Sequence, residues 1–180
     1  MRKGILIPAI AAVIALIAPA GAQAFCEGEG ASPSELTMEE ARAAIVCLVN
    51  EQRDAAGVRQ VHADGRLERA AQRHSGAMDT ANFFSHNSPN GASPLTRIRS
   101  TGYLAGASAW GVGENLRWGN GGLGSPRVAV NSWMQSSAHR STMLSGRYRQ
   151  IGIGVAFGSP YGGGGGGDTA IYTANFGYRK

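Results

Sequence analysis

The chain has 180 residues, 43% hydrophobic and 16% charged, with a formal charge of +5. That length suits one compact domain. The arginines are scattered, with no dense basic block and no basic–aromatic interleaving, which argues against a nucleic-acid partner.

Arg2 and Lys3 precede an almost wholly apolar run from Gly4 to Pro19, and Ala22-Gln23-Ala24 has the form of a cleavage site. This predicts a signal peptide over residues 1–24 and export from the cell. The run is shorter than the roughly 20 residues of a membrane span, so no span is expected after cleavage. Loss of Arg2 and Lys3 would bring the charge to about +3. Residues 25–36, with Gly28, Gly30 and Pro33, read as an extended leader, and residues 37–180 as the domain. Cys26 and Cys47 are the only cysteines. In an exported protein they most simply form one disulfide, tying the leader to the first helix. With no C-x-x-C pair, the sequence offers no cysteine zinc site or redox motif.

Thr37-Met38-Glu39-Glu40 is a capping box opening a helix. Ile45, Leu48 and Val49 form its apolar stripe to about Asp54, and Gly57 stops it. Asp64 caps a second helix carrying Leu67, Ala70, Ala71, His74, Ala77 and Met78 on one face. Ser88-Pro89-Asn90-Gly91 is a turn, and Ser93-Pro94 opens a short helix ending at Gly102. Val112–Trp118 reads as extended. Ser125-Pro126 starts a helix with Val130, Trp133 and Met134 on its apolar face. Ala138–Leu144 is a further helical turn. Ile151, Ile153 and Val155 alternate with Gly152 and Gly154, a strand whose glycines invite close packing. Gly162–Gly167 is a loop before a last strand over Ala170–Phe176. Helices first and strands last imply an α+β layered domain.

Three short polar segments carry the chemistry: Phe84-Ser85-His86, Gly113-Glu114-Asn115 and Ala138-His139-Arg140. Imidazole and carboxylate together bind a divalent metal or move a proton. His86, Glu114 and His139 are therefore the candidate site. Each also has a plainer reading: a loop histidine bonded to backbone, a surface acid, and a histidine favoured by a helix C-terminus. Glu114 has no lysine or arginine close in sequence before Arg117. His74 reads as a packing or hydrogen-bonding residue, and His62 falls in a loop.

The order of these segments resembles the CAP superfamily, the SCP-like extracellular domain, and especially its bacterial secreted branch. The resemblance runs from about Cys47 to Tyr178. It is carried by Leu48-Val49-Asn50-Glu51-Gln52-Arg53, His74-Ser75 with Met78, Phe84-Ser85-His86, Arg97-Ile98 with Gly102-Tyr103, Gly113-Glu114-Asn115, Trp133 with Ser136 and His139-Arg140, Ile151-Gly152-Ile153-Gly154, and Asn175-Phe176-Gly177. It implies a three-layer α-β-α sandwich with a central antiparallel sheet. It also implies a cleft of two histidines and two acids that binds divalent metal in some members. His86, Glu114 and His139 match the first histidine, first acid and second histidine. Ser136 stands where animal members have the second acid, as is common in bacterial relatives.

Three functions follow as expectations. The first is a secreted, monomeric binding module. Its cleft would hold Zn²⁺ or another divalent cation, or a small ligand, and its surface would meet a cell-wall, lipid or protein partner. Glu114 would be a third ligand or would orient one imidazole. The second is a hydrolase with Glu114 as general base and a histidine as acid. Ser85 and Ser137 adjoin site histidines in sequence, but no nucleophile elbow is present. The third is a non-catalytic scaffold whose polar cluster holds loops together.

Overall fold

The computed structural model describes Met1, residues 25–162 and residues 167–180. Residues 2–24 of the signal peptide expected over 1–24, and the middle of the glycine run, lie outside the described residues. Among the described residues, five α-helices and four strands follow in chain order: α1 Met38–Ala55, β1 His62–Ala63, α2 Gly65–Thr80, α3 Pro94–Ser100, β2 Trp110–Asn120, α4 Pro126–Gln135, α5 Ser137–Met143, β3 Gln150–Ala156 and β4 Thr169–Arg179. The helix starts are where the capping chemistry puts them. Thr37 Oγ1 accepts the Glu40 N–H and Glu40 reaches back to the Thr37 N–H at 2.7 Å. Asp64 accepts from Arg66 N–H and Leu67 N–H, while Ser93 and Ser125 each precede a proline in the first helical turn.

The strands form one sheet in the order β1-β3-β4-β2. The three long strands pair antiparallel, as expected. β1 adds a two-residue parallel bridge to β3, where His62 had read as loop. Within the leader, the Glu29 N–H donates to the Cys26 carbonyl in a turn, and Pro33–Glu35 forms a 3-10 turn. Cys26 and Cys47 are bonded to each other.

Side-chain alternation assigns the two faces of the sheet. Ile151, Ile153, Val155, Tyr172, Ala174 and Phe176 pack on one face against α1, α4 and α5 through Ile45, Leu48, Val130, Trp133 and Met143. The other face belongs to α2 and α3. A Cβ at Gly152 or Gly154 would overlap the α2 backbone at Leu67, Glu68 and Ala71, so these glycines set how closely helix and sheet approach. Each layer buries an apolar stripe against the sheet, and burial at about 25 cal/mol per Å² drives the assembly. β2 ends the sheet, and its outer edge lies between the two helical layers.

Candidate functional site

Glu114 and Asn115 are consecutive on β2, so they point to opposite faces. Glu114 enters the α2/α3 side. Its carboxylate is 2% exposed, and a bare charge there would be costly. The compensation comes from far along the chain. Arg97 on α3 donates from Nη2 to Glu114 Oε2 at 2.7 Å. His86 Nδ1 lies 2.9 Å from Glu114 Oε1. In the amide orientation that satisfies its neighbours, Asn175 on β4 also donates to Oε2, at 3.1 Å.

Arg97 does more than balance charge. Its Nη1 donates to the His86 and Ala92 carbonyls, each at 2.8 Å, so one guanidinium fixes the carboxylate and the loop that carries His86. His74 lies beneath that loop and is fully buried. Its Nε2–H donates to the Ser85 carbonyl at 2.9 Å, and Ser88 Oγ approaches Nδ1 at 3.4 Å. Burial holds the His74 pKa below that of free histidine, and the nearby Arg97 charge adds to the effect.

A carboxylate only accepts hydrogen bonds, so the neutral His86 ring carries its proton on Nδ1 and leaves Nε2 as a free base. The His86 side chain is 52% exposed. Its partner carboxylate is buried while the imidazole meets solvent.

His139 comes from the other layer. It lies in the first turn of α5, and its carbonyl accepts from Asn115 Nδ2 at 3.0 Å. Adjacent β2 residues thus reach both histidine segments, one from each face of the sheet. The His139 pKa is lowered, first by burial and then by the nearby His86. Ser136 caps α5 without a side-chain hydrogen bond to its backbone.

As a metal-ligand set the trio fits in part. Glu114 is 2% exposed and its oxygens already accept from Arg97 and His86, which places the carboxylate behind the His86 imidazole. Among the described residues, the group of three with donor atoms all within 4.8 Å of one another is Cys26, Cys47 and Glu51, whose cysteines form the disulfide. The imidazoles of His86 and His139 retain nitrogen donors suited to a divalent ion. Ser85 and Ser137 make no hydrogen bond to either imidazole among the described residues. Gly113 adopts no left-handed backbone. Its lack of a side chain instead admits the Tyr148 hydroxyl and Thr142.

Arg97 and Asn175 are the site residues that sequence reasoning left without a role. Arg97-Ile98 and Asn175-Phe176 are both segments of the resemblance, and that was the available signal. Spacing alone could not tie either residue to Glu114.

Residues 46–176 match the family described as the cysteine-rich secretory protein family, CAP. Among known proteins, the uncharacterized protein YkwD of Bacillus subtilis (strain 168) is 31% identical over 123 residues, covering 68% of this chain and 44% of that protein. This chain therefore spans less than half the length of that relative. An outer surface protein from Borrelia burgdorferi shares the fold at a TM-score of 0.66 and 19% identity, covering 81% of this chain and 97% of that one. An extracellular protein containing a SCP domain from Bacillus anthracis str. Ames does so at 0.58 and 23%, covering 78% and 43%.

Proposed function

Because the chain belongs to the cysteine-rich secretory protein (CAP) family, we propose that it is a secreted binding module whose recognition centre is the outward nitrogen of His86 together with His139. The observation that carries this reading is the relay Arg97–Glu114–His86. A buried carboxylate paired with Arg97 fixes the imidazole's tautomer and direction while the ring stays half exposed. The same arrangement orients metal-binding histidines. His86 Nε2 and an imidazole nitrogen of His139 would hold a divalent cation, which would supply a charged point of attachment for an anionic ligand. Glu114 acts behind His86, from outside the ligand set. With two protein ligands the affinity is modest, and acid weakens it because imidazolium cannot ligate.

Zinc titration of the wild type, His86→Ala and His139→Ala by calorimetry tests this. Each substitution should abolish most of the binding. Equal binding by all three proteins removes the proposal. Export is tested by N-terminal sequencing of the secreted protein, which should begin at Phe25.

The hydrolase reading gains one specific support, the buried carboxylate behind an exposed imidazole. That pairing makes His86 the general base and gives Glu114 the orienting role, a reversal of what the sequence suggests. Hydrolysis of a peptide or wall substrate that disappears in His86→Ala, with the fold intact, would favour it. If replacing His86, Glu114 and His139 together leaves binding unchanged and lowers only the melting temperature, the cluster is a scaffold.

A further inference from the structure

Beyond the histidines, the outer edge of β2 carries a second surface whose chemistry is distinct. Near Trp110 it borders a hollow of about 360 Å³, lined by Trp110, Tyr148, Tyr178, Arg147 and Ser145 among others. Through Ser145 this hollow adjoins another of about 490 Å³ along α5, lined by Ser137, Arg140 and Ser141. No aspartate or glutamate lines either one. The surface offers the exposed Trp110 ring, tyrosine edges and hydroxyls, serine hydroxyls and two guanidinium groups, with that of Arg147 lying over the Tyr178 ring.

The aromatic part is built into the sheet. Gly111 and Gly113 occupy successive positions on one face of β2. A Cβ at Gly111 would overlap the Tyr178 ring, and one at Gly113 would meet the Tyr148 hydroxyl at 2.7 Å. Two absent side chains therefore leave room for two aromatic rings against the strand. Tyr148 stacks on Phe176 with centroids 5.9 Å apart, and Arg147 Nη2 donates to the Tyr178 hydroxyl at 2.8 Å. Trp110 is 39% exposed. The supporting loop is held from below by Arg53, which is fully buried and donates to the Met143, Ser145 and Tyr148 carbonyls. Such a surface loses little freedom on binding.

We propose that this edge binds an acidic saccharide. Sugar rings have apolar C–H faces that suit Trp and Tyr, residues with an apolar body and a polar tip. Their hydroxyl edges match serines, which both donate and accept. An arginine fork recognises a carboxylate with two parallel hydrogen bonds, and no acidic side chain competes for Arg147 or Arg140 within the hollows. Shallow adjoining hollows fit linked sugar units better than one compact apolar molecule. Trp110 and Glu114 are four residues apart on β2, roughly 14 Å at strand rise. A bound oligosaccharide could therefore extend toward the histidine centre. The inference deepens the binding-module reading but does not require metal at the histidines.

The test uses the full mature chain and two disaccharides, measured by calorimetry or tryptophan fluorescence. One is N-acetylglucosamine linked to N-acetylmuramic acid, which carries a lactyl carboxylate. The other is the neutral N-acetylglucosamine dimer. The acidic sugar should bind about tenfold more tightly or better. Arg147→Ala should erase that difference, Trp110→Ala should weaken both sugars, and Arg73→Ala, an exposed arginine on α2, should leave both unchanged. Both substituted cleft residues are exposed, so the variants should fold, and circular dichroism checks this. Equal binding of the two sugars, no binding of either, or wild-type affinity in both cleft variants overturns the proposal. So does competition by inorganic phosphate as effective as by the acidic sugar, which would reduce the site to a simple anion site. Zinc titration on the same protein preparations keeps failure here separate from failure of the histidine centre.

Discussion

Two arginines, Arg53 fully buried and Arg97 largely enclosed, are used differently in this molecule. Arg53 ends α1 and is fully enclosed. Its hydrogen bonds go to backbone carbonyls of Arg59, Met143, Ser145 and Tyr148. No carboxylate partners it among the described residues, and burial lowers its pKa. Arg97 is also largely enclosed, but half of its fork goes to Glu114 and half to the carbonyls of the His86 loop. Arg53 ties three chain segments together and presents nothing to solvent. Arg97 neutralises a carboxylate that in turn aims an exposed imidazole. A buried cation satisfied by carbonyls holds the fold together, whereas one satisfied by an acid also sets the chemistry of a neighbour.

The largest expected effect separates these roles. Arg53→Met leaves several carbonyls without donors and should cost about 3–5 kcal/mol in urea unfolding. Arg53→Lys should recover little of this, because an ammonium cannot span the same fork. Arg97→Met should cost less, about 2–3 kcal/mol, while abolishing zinc binding. If the two arginine variants lose the same stability and both keep zinc, the contrast between them is wrong.

Next comes the disulfide, which ties positions 21 residues apart. Replacing Cys26 and Cys47 by alanine should cost about 3 kcal/mol through the freer unfolded chain. Zinc affinity should be unaffected, which sharpens the distinction between holding the fold and tuning the site. Glu114→Gln tests the site side alone. A neutral amide no longer fixes the Nδ1–H tautomer, so zinc affinity should fall about 10–100-fold.

The smallest effect is a pH dependence. His74 and His139 both have folded pKa values below that of free histidine, with burial the main cause. Between those values and about 6.5 the unfolded chain binds more protons. Stability should be complete above about pH 6.5 and fall as the pH drops through 6.5 toward the folded values. His74→Gln, read by thermal melts from pH 7.5 to 5, should make that fall shallower. An unchanged profile would mean that His74 does not titrate in this range.

Local rules carried much of the fold. Capping residues at 37, 64, 93 and 125 start helices where the side chains demand it, because an N-cap acts within a few residues. The glycines at 152 and 154 signal the close approach of α2, because a missing Cβ is legible wherever it occurs. His86, Glu114 and His139 could be nominated as candidates, since histidines are few in this chain and the order of their segments carries the resemblance. The partners of those groups were a different matter. Arg117 is the nearest cation to Glu114 after it in sequence, yet the ion pair is made by Arg97, seventeen residues earlier. Gly113 adopts no left-handed backbone, and its missing side chain makes room for Tyr148 and Thr142.

By itself, then, the sequence determined the order of helices and strands, the cysteine pair and the family, and it nominated three candidate site residues. Tertiary structure alone decided that Glu114 is buried against Arg97 and His86, that the His86 ring is half exposed, and that two aromatic rings lie against Gly111 and Gly113. The physical reason is range. Caps, turns and strand alternation act over a few residues, while a buried charge takes its partner from whatever segment the packed sheet brings beside it.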